Sequence, residues 1–253
     1  CNRSRNCTLR ELADECGVTE FRFGERQKAE HEIEDSGIFI VRDMNKCVQC
    51  RNCERACKEL QAVGAYGMKD RSNEIKIAAF ADKDLEDTVC INCGQCITHC
   101  PTGALSVKDE TTKVWEAIED PTKHVVIQTA PAPRSAIGEC FGNEPGEAAM
   151  TFQLATALRR CGFDRVFDTT FTADLTILEE ATELLLRLKK ALVDKDESIA
   201  LPQFTSCSPG WVKYLEHFKP EMIPNVSSAK SPQQMFGAVI KTHYAQKNNI
   251  DPK

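Results

Sequence analysis

The sequence predicts an α+β chain in two parts: a small cysteine-rich module with short strands, then a parallel α/β domain. Three observations carry that prediction. Two cysteine runs, at residues 47–57 and 90–100, share the spacing C-x2-C-x2-C-x3-C, and Pro101 trails the second. Apolar segments of strand length, residues 37–42 and 74–80, lead into the two runs. From Thr111 onward cysteines thin out and strand-like and helix-like patterns alternate, which is how parallel sheets are encoded.

The totals set bounds. A chain of 253 residues with 42% hydrophobic residues can bury a core as one large domain or two modest ones. No apolar run approaches a membrane span. A net charge of −6 argues against a nucleic-acid partner and suits the docking of a small charged redox partner. Fourteen cysteines, mostly in ligand spacing, imply a reducing intracellular compartment, because thiols meant for metal must not be oxidised first. Residue 1 is Cys, so any targeting segment is expected upstream.

Residues 1–36 carry Cys1 and Cys7, then Thr8 with Glu11 in capping-box spacing. Leu9, Leu12 and Ala13 form a helical stripe that Gly17 is expected to end. Cys16, alone on that helix, reads as a core thiol.

Residues 37–110 form the module. Gly37-Ile-Phe-Ile-Val-Arg42 and Glu74-Ile-Lys-Ile-Ala-Ala-Phe80 are expected strands, and Gly64 and Gly67 expected turns. Three thiolates at C-x2-C-x2-C wrap three iron corners of one [4Fe–4S] cube, and the fourth cysteine, a helical turn on, closes the neighbouring cube. Cys47, Cys50, Cys53 and Cys100 are thereby assigned to one cluster, and Cys90, Cys93, Cys96 and Cys57 to the other. Zinc would use four ligands in two knuckles, not eight in two runs, and disulfides among cysteines this dense would be strained. Short strands flanking two cubes give a bacterial-ferredoxin-like module.

Residues 111–253 alternate. His124-Val-Val-Ile-Gln-Thr129 is an expected strand ended by Ala130-Pro-Ala-Pro133. A helix follows through Phe152, Leu154, Ala155 and Leu158 to Gly162, then a strand at Arg165-Val-Phe-Asp168. A long helix is expected from Asp174, as its cap, to Lys190, and a third strand at Leu201-Pro-Gln-Phe-Thr-Ser206. In such sheets chemistry gathers at the carboxyl ends of strands, where Cys207 is expected. Cys140 and Cys161 read as buried thiols. No G-x-G-x-x-G follows an expected strand, so a dinucleotide site is unsupported.

Thr205-Ser-Cys-Ser-Pro-Gly-Trp211 and Ser227-Ser-Ala-Lys-Ser-Pro-Gln-Gln-Met-Phe-Gly237 resemble the first signature of the iron-only ([FeFe]) hydrogenases, and the resemblance covers nearly the whole chain. It implies reversible H2 formation, 2H⁺ + 2e⁻ ⇌ H2, at an H-cluster, a [4Fe–4S] cube bridged to a diiron site. Residues 37–110 would be the electron relay and 111–253 the N-terminal part of the catalytic domain, the whole a fragment that carries electrons but makes no hydrogen by itself. Cys1 and Cys7 resemble the last two ligands of a further [4Fe–4S] cluster held by one His and three Cys, the others lying upstream. The implied proton route runs through Cys207, Glu180, Ser227, Glu183 and Arg187. The implied donor is ferredoxin or an NAD(P)H-linked carrier, and the implied setting is cytoplasmic or hydrogenosomal.

Glu180, Glu183 and Arg187, at i, i+3 and i+7, share a helix face; taken alone, such charges are more often a solvated salt-bridge stripe. Two departures stand out. Ser208 falls where the family has the cysteine that ligates the catalytic cube, and serine is a harder ligand than thiolate. The remaining catalytic-cube cysteines would lie beyond residue 253. Two other readings compete: a plain electron-transfer module, which has no reason to contain the Thr-Ser-Cys and Ser-Pro-Gln-Gln motifs, and a non-catalytic hydrogenase-like protein of iron–sulfur assembly, which Ser208 keeps open.

Overall fold

The computed structural model describes residues 7–20, 31–71, 74–146 and 150–252. Cys1 lies outside them. The chain divides into two compact units, Cys1–Asp109 and Glu110–Lys253.

In the first unit, α1 (Thr8–Glu15) begins one residue earlier than a Thr8 capping box requires. Cys7 is its N-cap and offers no side-chain bond. The far end follows the expected glycine stop. Gly17 takes φ +66, and the N–H groups of Gly17 and Val18 reach the carbonyls of Asp14 (3.1 Å) and Ala13 (2.9 Å), closing the paired bonds of a Schellman motif. Cys16 is exposed, not core, because α1 turns that edge to water.

Two small antiparallel sheets frame the cysteine runs. β1 (Ile40–Arg42) pairs with β4 (Leu105–Val107), Ile40 opposite Val107 and Arg42 opposite Leu105. β2 (Tyr66–Lys69) pairs with β3 (Lys76–Ala79), Tyr66 opposite Ala79. Both expected strands are shorter than their apolar runs, and Gly67 lies within β2, not at a turn. The short segments at β2 and β4 gave no alternation long enough to read. Lys69 and Lys76 face each other at one end of the β2–β3 pair, which is unfavourable for like charges. Asp82 offsets it, paired with Lys69 and 3.8 Å from Lys76. Between the sheets Ile40, Val63, Tyr66, Ile77, Leu85, Ile91 and Leu105 are buried.

The second unit starts with α4 (Thr111–Glu119), then β5 (Val126–Thr129). The Ala-Pro-Ala-Pro segment that ends the strand leads directly into a helix: Pro131 opens α5 (Pro131–Ala136), where a missing N–H costs nothing. α6 (Thr151–Arg160) leads to β6 (Arg165–Asp168), which lies parallel to β5 with Thr129 opposite Asp168. α7 (Thr170–Leu188) begins four residues before Asp174, which therefore sits inside the helix. Asp168, at the end of β6, takes the capping part by accepting the Thr170 N–H at 2.9 Å. A one-residue link from strand to helix hid that start from the sequence.

The third expected strand does not form. Residues 201–206 contribute a single parallel bridge, Phe204 to Val226, and Pro202 has no N–H to extend it. Cys207 therefore follows irregular chain, not a central strand. α8 (Pro209–Phe218) and α9 (Pro232–Val239) complete the unit. α9 packs on α7, with the Thr176 hydroxyl 3.2 Å from the Met235 sulfur. Phe167 of β6 meets Phe236 and Tyr244, each at 5.4 Å between ring centres. Cys140 and Cys161 are exposed, not buried as expected. Each sits at a helix end, in the last residues before a left-handed glycine.

Candidate functional site

The two cysteine loops follow the same backbone path. Gln49 and Asn92, each two residues past the first cysteine of its run, take φ +59 and +55; Arg51 and Gly94, each just past the second, take φ +66 and +75. These left-handed turns curl each loop inward. In both, the N–H two residues on points at the first thiol: Gln49 N to Cys47 Sγ and Asn92 N to Cys90 Sγ, each 3.4 Å. A short helix then carries the third cysteine, α2 (Asn52–Arg55) for Cys53 and α3 (Gln95–Thr98) for Cys96. Gly94 also leaves room there, since a Cβ would stand a tight 3.1 Å from the Phe39 ring.

Cys100, the fourth cysteine of the second run, lies with the first run. One cavity is lined by Cys47, Cys50 and Cys53 of the first run and by Cys100 of the second, with Val48, Tyr66, Ile77, Leu105 and Arg42 in its wall. Cys57 turns away. Its Sγ accepts the Ala65 N–H at 3.3 Å, and Cys96 of the second run lies 3.6 Å from the Tyr66 hydroxyl. None of the described cysteines is in a disulfide. Among the described residues, no three His, Cys, Asp or Glu side chains converge closely enough to hold a single ion. A tetrahedral zinc would draw its sulfurs to about 3.8 Å from one another, whereas a four-iron cube keeps its thiolates on separate corners. A cavity with soft sulfur donors spread around an apolar wall fits the cube.

The thiols are poised differently. Burial pushes Cys53 up to about 12 and Cys96 up to about 11, so as free groups both are protonated at neutral pH and metal is needed to deprotonate them. For Cys100 burial also acts upward, but the N–H groups of Leu105, Thr102 and Ala104 and the Thr102 hydroxyl outweigh it, leaving the thiol below its ordinary range. Tyr66 is pushed well up, first by burial and then by the Cys96 sulfur.

In the second unit one carboxylate is a hub. Glu183 on α7 accepts the Ser227 hydroxyl at 2.6 Å and the Ser228 N–H at 3.0 Å. Arg187, one turn on, donates to it through Nε (3.0 Å) and Nη2 (2.6 Å). The same guanidinium reaches the carbonyls of Ala200 (3.3 Å), Pro224 (3.0 Å) and Val226 (2.9 Å), tying α7 to the irregular chain on both sides of α8. Burial acts to raise the Glu183 carboxyl; Ser227, Arg187 and Ser228 overcome it and hold the group below its usual range. Ser227 is buried, and its oxygen accepts the Ala229 N–H at 3.1 Å.

The structure thus joins Ser227, Glu183 and Arg187. It does not bring Ser227 onto Glu180, whose carboxylate makes no hydrogen bond among the described residues. Gln203 instead donates to the Glu180 carbonyl at 3.2 Å. Cys207 and Ser208 are both exposed. Cys7 is half-buried at the start of α1, and its expected companion Cys1 lies outside the described residues. Sequence reasoning missed Arg42, Tyr66, Thr102 and Ser228. Thr102, next to Pro101 and Cys100, was the most findable of these; the rest depend on strand pairing or on a turn.

Residues 123–253 match the family described as iron only hydrogenase large subunit, C-terminal domain. The chain belongs to the iron-only hydrogenase large-subunit family. Residues 37–106 match the ferredoxin-like domain of NADH-quinone oxidoreductase subunit 3. The NADP-reducing hydrogenase subunit HndD of Solidesulfovibrio fructosivorans is 47% identical over 97% of this chain and 41% of its own length. Iron hydrogenase 1 of Clostridium pasteurianum is 40% identical over 100% of this chain and 43% of its own. A solved [FeFe]-hydrogenase from Chlamydomonas reinhardtii superposes with a TM-score of 0.53 at 48% identity, over 58% of this chain and 36% of that one. The chain therefore spans about two fifths of these curated relatives. A ferredoxin-like domain followed by a hydrogenase-type domain of mixed helices and strands is its architecture.

Proposed function

We propose that this chain is the electron-relay and proton-delivery part of an iron-only hydrogenase that interconverts protons, electrons and H2. The observation that carries the reading is the cavity that brings Cys100 of the second run to Cys47, Cys50 and Cys53 of the first, beside two loops of matching path. A cavity gathering Cys47, Cys50, Cys53 and Cys100 supports one [4Fe–4S] cluster there, and Cys90, Cys93, Cys96 and Cys57 remain for a second. Domain limits at 37–110 and 111–253 accompany this reading, as does a third cluster drawing on Cys1 and Cys7.

The H-cluster, when bound, supplies the iron at which two electrons and two protons combine. This chain's part is delivery. The relay cysteines hold the electron carriers, and N–H groups aimed at their sulfurs stabilise the added charge. On the proton side, the Ser227 hydroxyl passes a proton to Glu183 Oε2 along the 2.6 Å bond and takes one at its remaining lone pair. Arg187 positions Glu183 and keeps it ionised between transfers. Cys207 Sγ and the Glu180 carboxylate, neither with a hydrogen-bond partner among the described residues, are the ends of the route. Ser208 does not offer the soft thiolate the catalytic cube takes in the family, which leaves Cys207 as the sulfur available in this loop. The donor is a ferredoxin or, as the name of the NADP-reducing relative suggests, a nucleotide-linked carrier, in a reducing compartment. Among the described residues no helix is long and apolar enough to cross a membrane.

Anaerobic reconstitution with iron and sulfide tests the relay. About eight irons per chain, with EPR signals from two interacting reduced cubes, are expected. One cluster only, or one bound zinc, would overturn it.

A further inference from the structure

Reducing a [4Fe–4S] cluster adds a negative charge to a site with little water, so a fixed positive charge beside it favours the reduced form. Arg42 is such a charge. At the end of β1 it is 7% exposed and forms part of the wall of the cavity containing Cys47, Cys50, Cys53 and Cys100. Its Nη1 pairs with Glu34, which does not line that cavity. Its Nε has no hydrogen-bond partner among the described residues. A donor this buried is costly unless an acceptor meets it, and a sulfide or bound thiolate in the cavity would be one.

Tyr66 continues the arrangement. The Arg42 guanidinium carbon lies 5.6 Å from the centre of its ring, which belongs to the same cavity wall. Its hydroxyl lies 3.6 Å from Cys96 Sγ, in the other ligand set. An iron-bound thiolate has no proton to give, so there the hydroxyl donates, and hydrogen bonds to cluster sulfurs help set the potential.

We propose that the buried Arg42–Tyr66 stack sets the reduction potentials of the two relay clusters, Arg42 raising that of the cluster in the Cys47, Cys50, Cys53 and Cys100 cavity, and the Tyr66 hydroxyl that of the cluster bound through Cys96. It rests on the two-cluster reading above. The experiment is an EPR-monitored redox titration of the reconstituted 253-residue chain, with iron counted in every variant. Arg42→Gln should make one of the two clusters at least tenfold harder to reduce, a 59 mV downward shift for one electron. Arg42→Lys, keeping the charge, should stay within threefold of the parent. Glu34→Gln, removing the opposing charge, should move the same midpoint upward. Tyr66→Phe should lower the other midpoint and leave this one. Unmoved midpoints at full iron content would overturn the proposal, as would Arg42→Gln and Glu34→Gln shifting in the same direction. Should Arg42→Gln lose its cluster, Glu34→Gln and Tyr66→Phe still decide. A parent chain that takes up no iron would instead overturn the two-cluster reading itself.

Discussion

Replacing Arg187 by methionine should destabilise the second unit by about 3 kcal/mol. Methionine keeps the apolar stem of the side chain but loses five donor contacts, two to Glu183 and three to the carbonyls of Ala200, Pro224 and Val226. Breaking a buried ion pair by removing one partner costs about 3–5 kcal/mol. Here the Arg187 and Glu183 side chains are 17% and 19% exposed, so water recovers part of the loss and the lower end applies. For a unit of this size that is a fall in Tm of about 10 °C. Both tryptophans, Trp115 and Trp211, lie in Glu110–Lys253, so tryptophan fluorescence follows this unit during thermal unfolding. The effect should also depend on pH. The folded Glu183 carboxyl is held below its ordinary value of 4.5, so its contribution is complete above about pH 4.5 and is lost as pH falls through the folded value. The gap between parent and variant should therefore narrow in acid. A Tm change under about 3 °C at neutral pH, or a gap that widens in acid, would refute the clamp.

Other substitutions probe different parts. Cys57→Ser should damage the cluster of Cys90, Cys93 and Cys96 and spare the one assembled on its own run; EPR of the reduced variant distinguishes the two. Gly162→Ala should lower Tm sharply, by about 2–4 kcal/mol in stability. The residue sits at φ +109, and a Cβ would come within 2.6 Å of Ile118 Cγ2. A parent-like melting curve would show that α4 can shift. Under the proposed proton route, Cys207→Ala in a hydrogenase that carries this chain and its H-cluster should abolish turnover. An intact catalytic cube in that variant assigns Cys207 to proton transfer, and loss of the cube assigns it to ligation.

The covalent spacing of the chain by itself pointed to iron–sulfur chemistry. C-x2-C-x2-C-x3-C is a local constraint, readable without knowing what packs where, and so are the C-terminal stop at Gly17, the strand at Arg165–Asp168 and the shared face of Glu183 and Arg187. Element starts were less legible. Asp174 is a good cap in isolation, but β6 ends at Asp168 and delivers its own carboxylate to the helix that starts two residues later. Apolar length misled at residues 201–206, where Pro202 removes a donor and only Phe204 finds a partner. Only the tertiary structure decided which distant groups meet. Ser227 reaches Glu183 across 44 positions, Cys100 joins the cavity of Cys47, Cys50 and Cys53, and Arg42 and Tyr66 stack because the two small sheets put them side by side. Spacing fixes what a few neighbouring residues can do. Contacts between residues far apart form only when burying many weakly informative apolar positions offsets the entropy of bringing the chain together, and no single stretch of sequence records that sum.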